Sequence, residues 1–154
     1  MSFEEKSTWV SMVVSVLVLS AYSMFVLGQL QSVPAAQIAY QRPMLIAVGA
    51  IIVMTIVGTI LMSIGTAVSA EISAKISGGG SVAEIDRKDE RDDDINRRGE
   101  LVGYYVSSAG ALGVLALAML RYDQFWIANA LYLTFMVGGL ASATAKLIVY
   151  RRGF

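Results

Sequence analysis

The sequence has no cysteine and no histidine. Their absence excludes disulfides, thiolate nucleophiles, haem and iron–sulfur ligation and most zinc sites. It also removes every side chain that titrates near neutrality without help from its surroundings. Proline occurs only twice, at Pro34 and Pro43, so little interrupts the apolar runs. Charged residues make up only 16% of the chain, with Lys+Arg and Asp+Glu equal at 12 each, so net charge singles out no partner. What is abundant is hydrocarbon. Of the 154 residues 56% are hydrophobic, and the mean hydropathy is +0.63. A soluble domain is usually nearer 45–50% apolar, as a rough average.

Four stretches are long and apolar enough to cross a bilayer, which takes roughly 20 such residues. The first runs from Trp9 to Gly28 without a charge. The second follows Pro43, a residue suited to a helix N-terminus, and is charge-free from Met44 to Ala70. It is long enough to tilt or to protrude. The third covers Leu101 to Leu120, and the fourth Phe125 to Val149 with Lys146 near its end. Small residues at Ser32–Ala36 resemble a signal-peptide cleavage site. The flank of Glu4, Glu5 and Lys6 is acidic, however, and the first apolar run is too long for a signal sequence, so a retained anchor is expected.

Lys and Arg concentrate on the cytoplasmic side of membrane proteins. Here Lys6, Lys75, Arg87, Lys88, Arg91, Arg97, Arg98, Lys146, Arg151 and Arg152 fall on one side of the four spans, against Arg42 and Arg121 on the other. Trp9 and Tyr150 then mark the inner boundary, and Tyr40, Tyr122, Phe125 and Trp126 the outer one, where amphipathic rings anchor. The expectation is an all-α membrane protein of the inner membrane, a single domain over residues 1–154. It would be a four-transmembrane-helix bundle with N- and C-termini cytoplasmic and its third span extended by a charged cytoplasmic helix. The two hairpins also allow a duplication in parallel orientation, with Gly58 aligned on Gly138.

Residues 71–100 carry the densest charge. Gly78, Gly79 and Gly80 predict the end of the second helix. In the run from Ile85 to Glu100, Asp93 with Arg97 and Asp94 with Arg98 are acid-before-base pairs at i,i+4, the favourable order on a helix. This predicts a self-paired juxtamembrane helix, with Arg97 and Arg98 nearest the lipid phosphates. Asp86, Asp89, Glu90 and Asp93 also fall on one helical face. Like charges that close repel, so a basic partner surface, another copy's arginines or a divalent cation would stabilise them. An EF-hand is excluded. Were Glu100 the twelfth ligand, Arg91 would occupy the third position and Asp94 the glycine position. A looser magnesium or calcium site stays open.

The segment Lys88-Asp89-Glu90-Arg91-Asp92-Asp93-Asp94-Ile95, between the second and third spans, resembles a family of small four-span predicted membrane proteins of unknown function in bacteria and archaea. These carry an Asp-Glu-Arg-Asp-x-x-Ile motif at this place. The specific part of the resemblance is Asp89, Glu90, Arg91, Asp92 and Ile95. It implies a shared structural or regulatory role for the motif and supplies no reaction.

Within lipid, helices associate through close packing of small residues. Gly99, Gly103, Ser107 and Ala111 form such a ridge on the third span, with Ala109 and Gly113 as a second row. On the fourth span, Gly138 pairs with Ser142, Gly139 with Ala143 and Ala141 with Ala145. Most of these are expected inside the bundle, and one ridge would also suit a homo-oligomer contact. Thr55, Thr59, Ser63 and Thr66 stripe the second span. Such hydroxyls more often bond back to their own helix than line a pathway. No ionisable residue lies mid-membrane.

Two functional readings follow. In the first, the protein is a non-enzymatic interaction or regulatory subunit. Its acidic–basic cytoplasmic helix (Asp86, Asp89, Glu90, Arg91, Asp92, Asp93, Ile95, Arg97 and Arg98) would meet a protein partner in or at the membrane. In the second, it is a small oligomeric transporter or channel. No catalytic constellation, cofactor or metal site is expected. Membrane lipids are the expected surroundings, and nucleic acid is not an expected partner because acids interleave the basic residues.

Overall fold

The structure, a computed structural model, describes residues 3–77 and 90–152. Among these the chain is all-helical. It consists of α1 (Phe3–Leu30), α2 (Gln41–Ser77), α3 (Glu90–Met119) and α4 (Gln124–Arg152), with a single 3-10 turn at Ala35–Gln37. All four helices are long and apolar enough to cross a membrane.

Packing follows the order α2, α1, α4, α3. The main contacts are α2 with α1, α1 with α4, and α4 with α3, so the outer helices α2 and α3 each rest chiefly on one neighbour. Burial agrees with this order. Over their membrane-length cores, 22% of α1 and 28% of α4 is buried, against 6% of α2 and 6% of α3. The outward faces are large and apolar, with Met24 at 75%, Leu45 at 71% and Leu112 at 68% exposure. A surface of this kind suits hydrocarbon rather than water.

The core is a seam between α1 and α4. Val14, Val18, Tyr22 and Val26 recur every four residues along α1, so they form one stripe. They share a cluster with Phe125, Tyr132 and Met136 of α4. The connection after α1 folds over this seam. Ile38 is buried in it, and the Tyr40 ring meets Phe125 edge-on, centroids 5.4 Å apart.

The α3–α4 turn is much shorter. Tyr122 N–H donates to the Leu117 carbonyl and Arg121 N–H to Ala118, both at 3.1 Å, the bond pattern of a Schellman motif. Arg121 occupies its left-handed position, with φ 56°. Glycine usually fills that position because a Cβ is strained there.

The two hairpins differ in which helix lies inside. The inner helix of the first is its first helix, α1, whereas the inner helix of the second is its last, α4. Gly58 and Gly138 do both face the first helix of their own hairpin, against Val10 and Ser107 respectively.

Candidate functional site

The start of α1, the end of α4 and the start of α3 meet at one end of the bundle. Gly99 of α3 lies beside Lys146 of α4, so the charged start of α3 runs alongside the last turns of α4. It overshoots them by only about three residues, roughly 5 Å. Two side chains fix its rotation. Ile95 is fully buried at 0% exposure, and Asp92, also buried, accepts a hydrogen bond from the Tyr150 hydroxyl at 2.9 Å. Asp92 and Ile95 are three residues apart, about 300° around the helix, and therefore share a face. Asp93, Asp94, Arg97, Arg98 and Glu100 point outward. Glu100 lies 3.8 Å from the Lys146 ammonium. On the far side of α4, the Arg151 guanidinium sits over the Trp9 ring, 5.5 Å from its centroid, and ties α1 to the same end.

The sequence motif is thus divided by the fold. Asp86 and Asp89 lie outside the described residues, and Glu90 and Arg91 are the first residues of α3. Asp92 and Ile95 are anchoring contacts, and Asp93, Arg97 and Arg98 form the exposed side. No group of three acidic side chains able to hold a metal ion occurs among the described residues.

Below the charged turns, α3 and α4 approach at backbone distance. A Cβ added at Gly103 would stand 2.9 Å from the Ser142 Cβ and 3.0 Å from the Gly138 carbonyl oxygen. One at Gly138 would strike the Ser107 hydroxyl, and one at Gly110 would come within 2.5 Å of Thr134. Gly99, Gly103, Ser107, Gly138 and Ser142 therefore meet, but Ala111 does not. It is exposed, and Gly110 occupies the next place in the interface. The reason is angular. At about 100° per residue, Gly110 comes within roughly 20° of Gly99, whereas a ridge stepped strictly by four drifts some 120° by Ala111. The second row faces away, since Ala109 and Gly113 are exposed and a Cβ added at Gly113 would meet nothing within 4 Å among the described residues. Gly139 is likewise open, while Ala143 is buried.

Three hydroxyls of α2 bond back to their own helix. Thr59 donates to the Thr55 carbonyl at 2.8 Å, Ser63 to Thr59 at 2.9 Å, and Thr66 to both Met62 and Ser63.

A second polar cluster, at the opposite end, escaped the sequence reading. The Tyr22 hydroxyl lies 2.8 Å from Asn129 Oδ1, and Asn129 Nδ2 donates to the Phe125 carbonyl at 2.8 Å. The Phe125 carbonyl can only accept, which fixes the amide orientation, so Tyr22 must be the donor. Tyr132 meets the Tyr22 ring edge-on at 4.8 Å, and its hydroxyl is buried with no hydrogen-bond partner among the described residues. The available signal was Asn129, an amide well inside the fourth apolar run and three residues before Tyr132.

Compared with known protein families, characterised proteins and solved structures, the chain matches none. The motif resemblance therefore rests on Asp89, Glu90, Arg91, Asp92 and Ile95 alone.

Proposed function

We propose that this is a non-enzymatic protein of the inner membrane, with both termini cytoplasmic, acting as an interaction or regulatory subunit through the charged start of α3. The observation that carries this reading is the anchoring of that helix. Buried Ile95 and the Tyr150–Asp92 hydrogen bond hold one face against α4, so Asp93, Asp94, Arg97 and Arg98 are presented in a fixed array. A pre-oriented set of charges loses less conformational freedom on binding than a flexible loop does. Charges at a rim also select partners by complementarity. The transporter reading gains less support, because the Thr59, Ser63 and Thr66 hydroxyls of α2 are engaged with their own helix.

The test is co-purification of membrane partners in mild detergent, comparing the full chain with its D93N/D94N/R97Q variant. A partner recovered with the unaltered chain and reduced at least about fivefold by the variant, near 1 kcal/mol of binding, is the expected result. Recovery that never exceeds background, or that ignores the three substitutions, overturns the reading.

A further inference from the structure

At the Trp9 end, the seam between α1 and α4 opens into a groove of about 180 Å³ lined by Trp9, Met12, Thr144, Leu147, Ile148 and Arg151. Its character changes along the helices. The exposed Arg151 stands at one end, its guanidinium 5.5 Å from the centroid of the Trp9 ring. From there the groove runs towards the middle of the spans as far as Thr144, roughly 10 Å along α4. Below Arg151 the lining is hydrocarbon. Met12, Leu147 and Ile148 are apolar, and the Thr144 hydroxyl is spent on the Leu140 carbonyl at 2.7 Å. The Trp9 ring holds the cation without neutralising it. Among the described residues no carboxylate pairs with Arg151 and no oxygen accepts a hydrogen bond from it. Glu5 lies a turn before Trp9, roughly 6 Å farther from the middle of the span. It does not line the groove, and its neighbour Lys6 offsets its charge.

A guanidinium offers a fork of N–H donors that matches phosphate, and tryptophan marks the depth at which lipid headgroups lie. Basic pockets between spans are places where anionic headgroups bind. A soluble anion would use the cation and leave the apolar length unfilled. A zwitterionic lipid would bring an ammonium of its own against Arg151. We infer that this groove seats an anionic phospholipid, its phosphate on Arg151 and the first part of an acyl chain along Met12, Leu147 and Ile148. The site belongs to α1 and α4 and makes no use of the charged face of α3, so either reading can fail and leave the other standing.

The test uses the full chain carrying Trp126→Phe, which leaves Trp9 as its only tryptophan, reconstituted in phosphatidylcholine liposomes. A minor fraction of the lipid is replaced by phosphatidylglycerol or by phosphatidylcholine, each with acyl chains brominated near the ester end. Contact quenching of Trp9 emission then reports which lipid occupies the groove. Brominated phosphatidylglycerol should occupy it about five times as readily as brominated phosphatidylcholine, the worth of one basic residue at an anionic surface. Arg151→Gln should bring the two lipids to parity. Should that variant fail to fold, Arg151→Lys takes its place: it keeps the charge and loses the fork, so the preference should fall without vanishing. Arg97→Gln with Arg98→Gln, on α3 across α4, should leave the preference intact, which separates a seated lipid from general attraction to a positive surface. Excess soluble glycerol phosphate should not relieve the quenching. Equal quenching by the two lipids in the starting chain, a preference that the Arg151 variant leaves unchanged, a preference lost with Arg97 and Arg98, or relief by glycerol phosphate would overturn the assignment.

Discussion

The two hairpins use opposite solutions to helix packing. In α3–α4, glycine, serine and threonine bring the backbones together, and the connecting turn is closed by hydrogen bonds. In α1–α2, bulky side chains hold the helices apart and leave an apolar groove of about 460 Å³ beside Val18, Tyr22 and Ala47. A Cβ added at Gly49 or Gly65 on α2 would meet nothing within 4 Å among the described residues. One added at Gly58 would meet only the end of the Val10 side chain. Without a hydrophobic drive between helices in lipid, close packing decides which pair is rigid. The second hairpin is therefore the scaffold, and the first is the looser half.

The sharpest way to break this contrast is Gly138→Leu, which drives a side chain into Ser107 and the Gly103 carbonyl. It should cost about 3 kcal/mol or more, or unfold the second hairpin outright, with a lowered thermal midpoint in detergent as the measure. Gly58→Leu, facing only the end of Val10, should cost visibly less. An equal loss would erase the distinction. Next in size, Tyr150→Phe leaves Asp92 buried without its hydroxyl donor, at about 1–3 kcal/mol. Hydrogen exchange should then speed up in the first turns of α3 while the amides of α1 keep their protection. Arg121→Gly relieves the left-handed strain at the α3–α4 turn and should stabilise by about 1 kcal/mol. Smallest of all, Gly49→Ala meets nothing and should be neutral or stabilising by no more than about 1 kcal/mol.

The four helices are legible in the sequence because apolar length alone identifies them. Half of the scaffold is legible too. Gly99, Gly103 and Ser107 can be read as a ridge, and only the helical drift that replaces Ala111 by Gly110 requires the actual geometry. The lateral order of the helices leaves no local trace, since it depends on which faces of α1 and α4 fit each other. Asp92 looks like one more surface charge until Tyr150, 58 residues away, comes to meet it. Tyr22 and Asn129 are separated by 107 residues. Neither carries charge, so attention to ionisable groups alone passes over both.

The side-by-side order has a consequence for biogenesis. Synthesis runs from the N-terminus, so α1 and α2 are made before α4, the other neighbour of α1. The Val14–Val26 stripe of α1 meets Phe125, Tyr132 and Met136 only once α4 arrives. Until then Tyr22 lacks the Asn129 acceptor and faces lipid. One face of α1 thus waits for a helix made almost 100 residues later, and a ribosome stalled before residue 124 would leave that face uncovered for quality control to find.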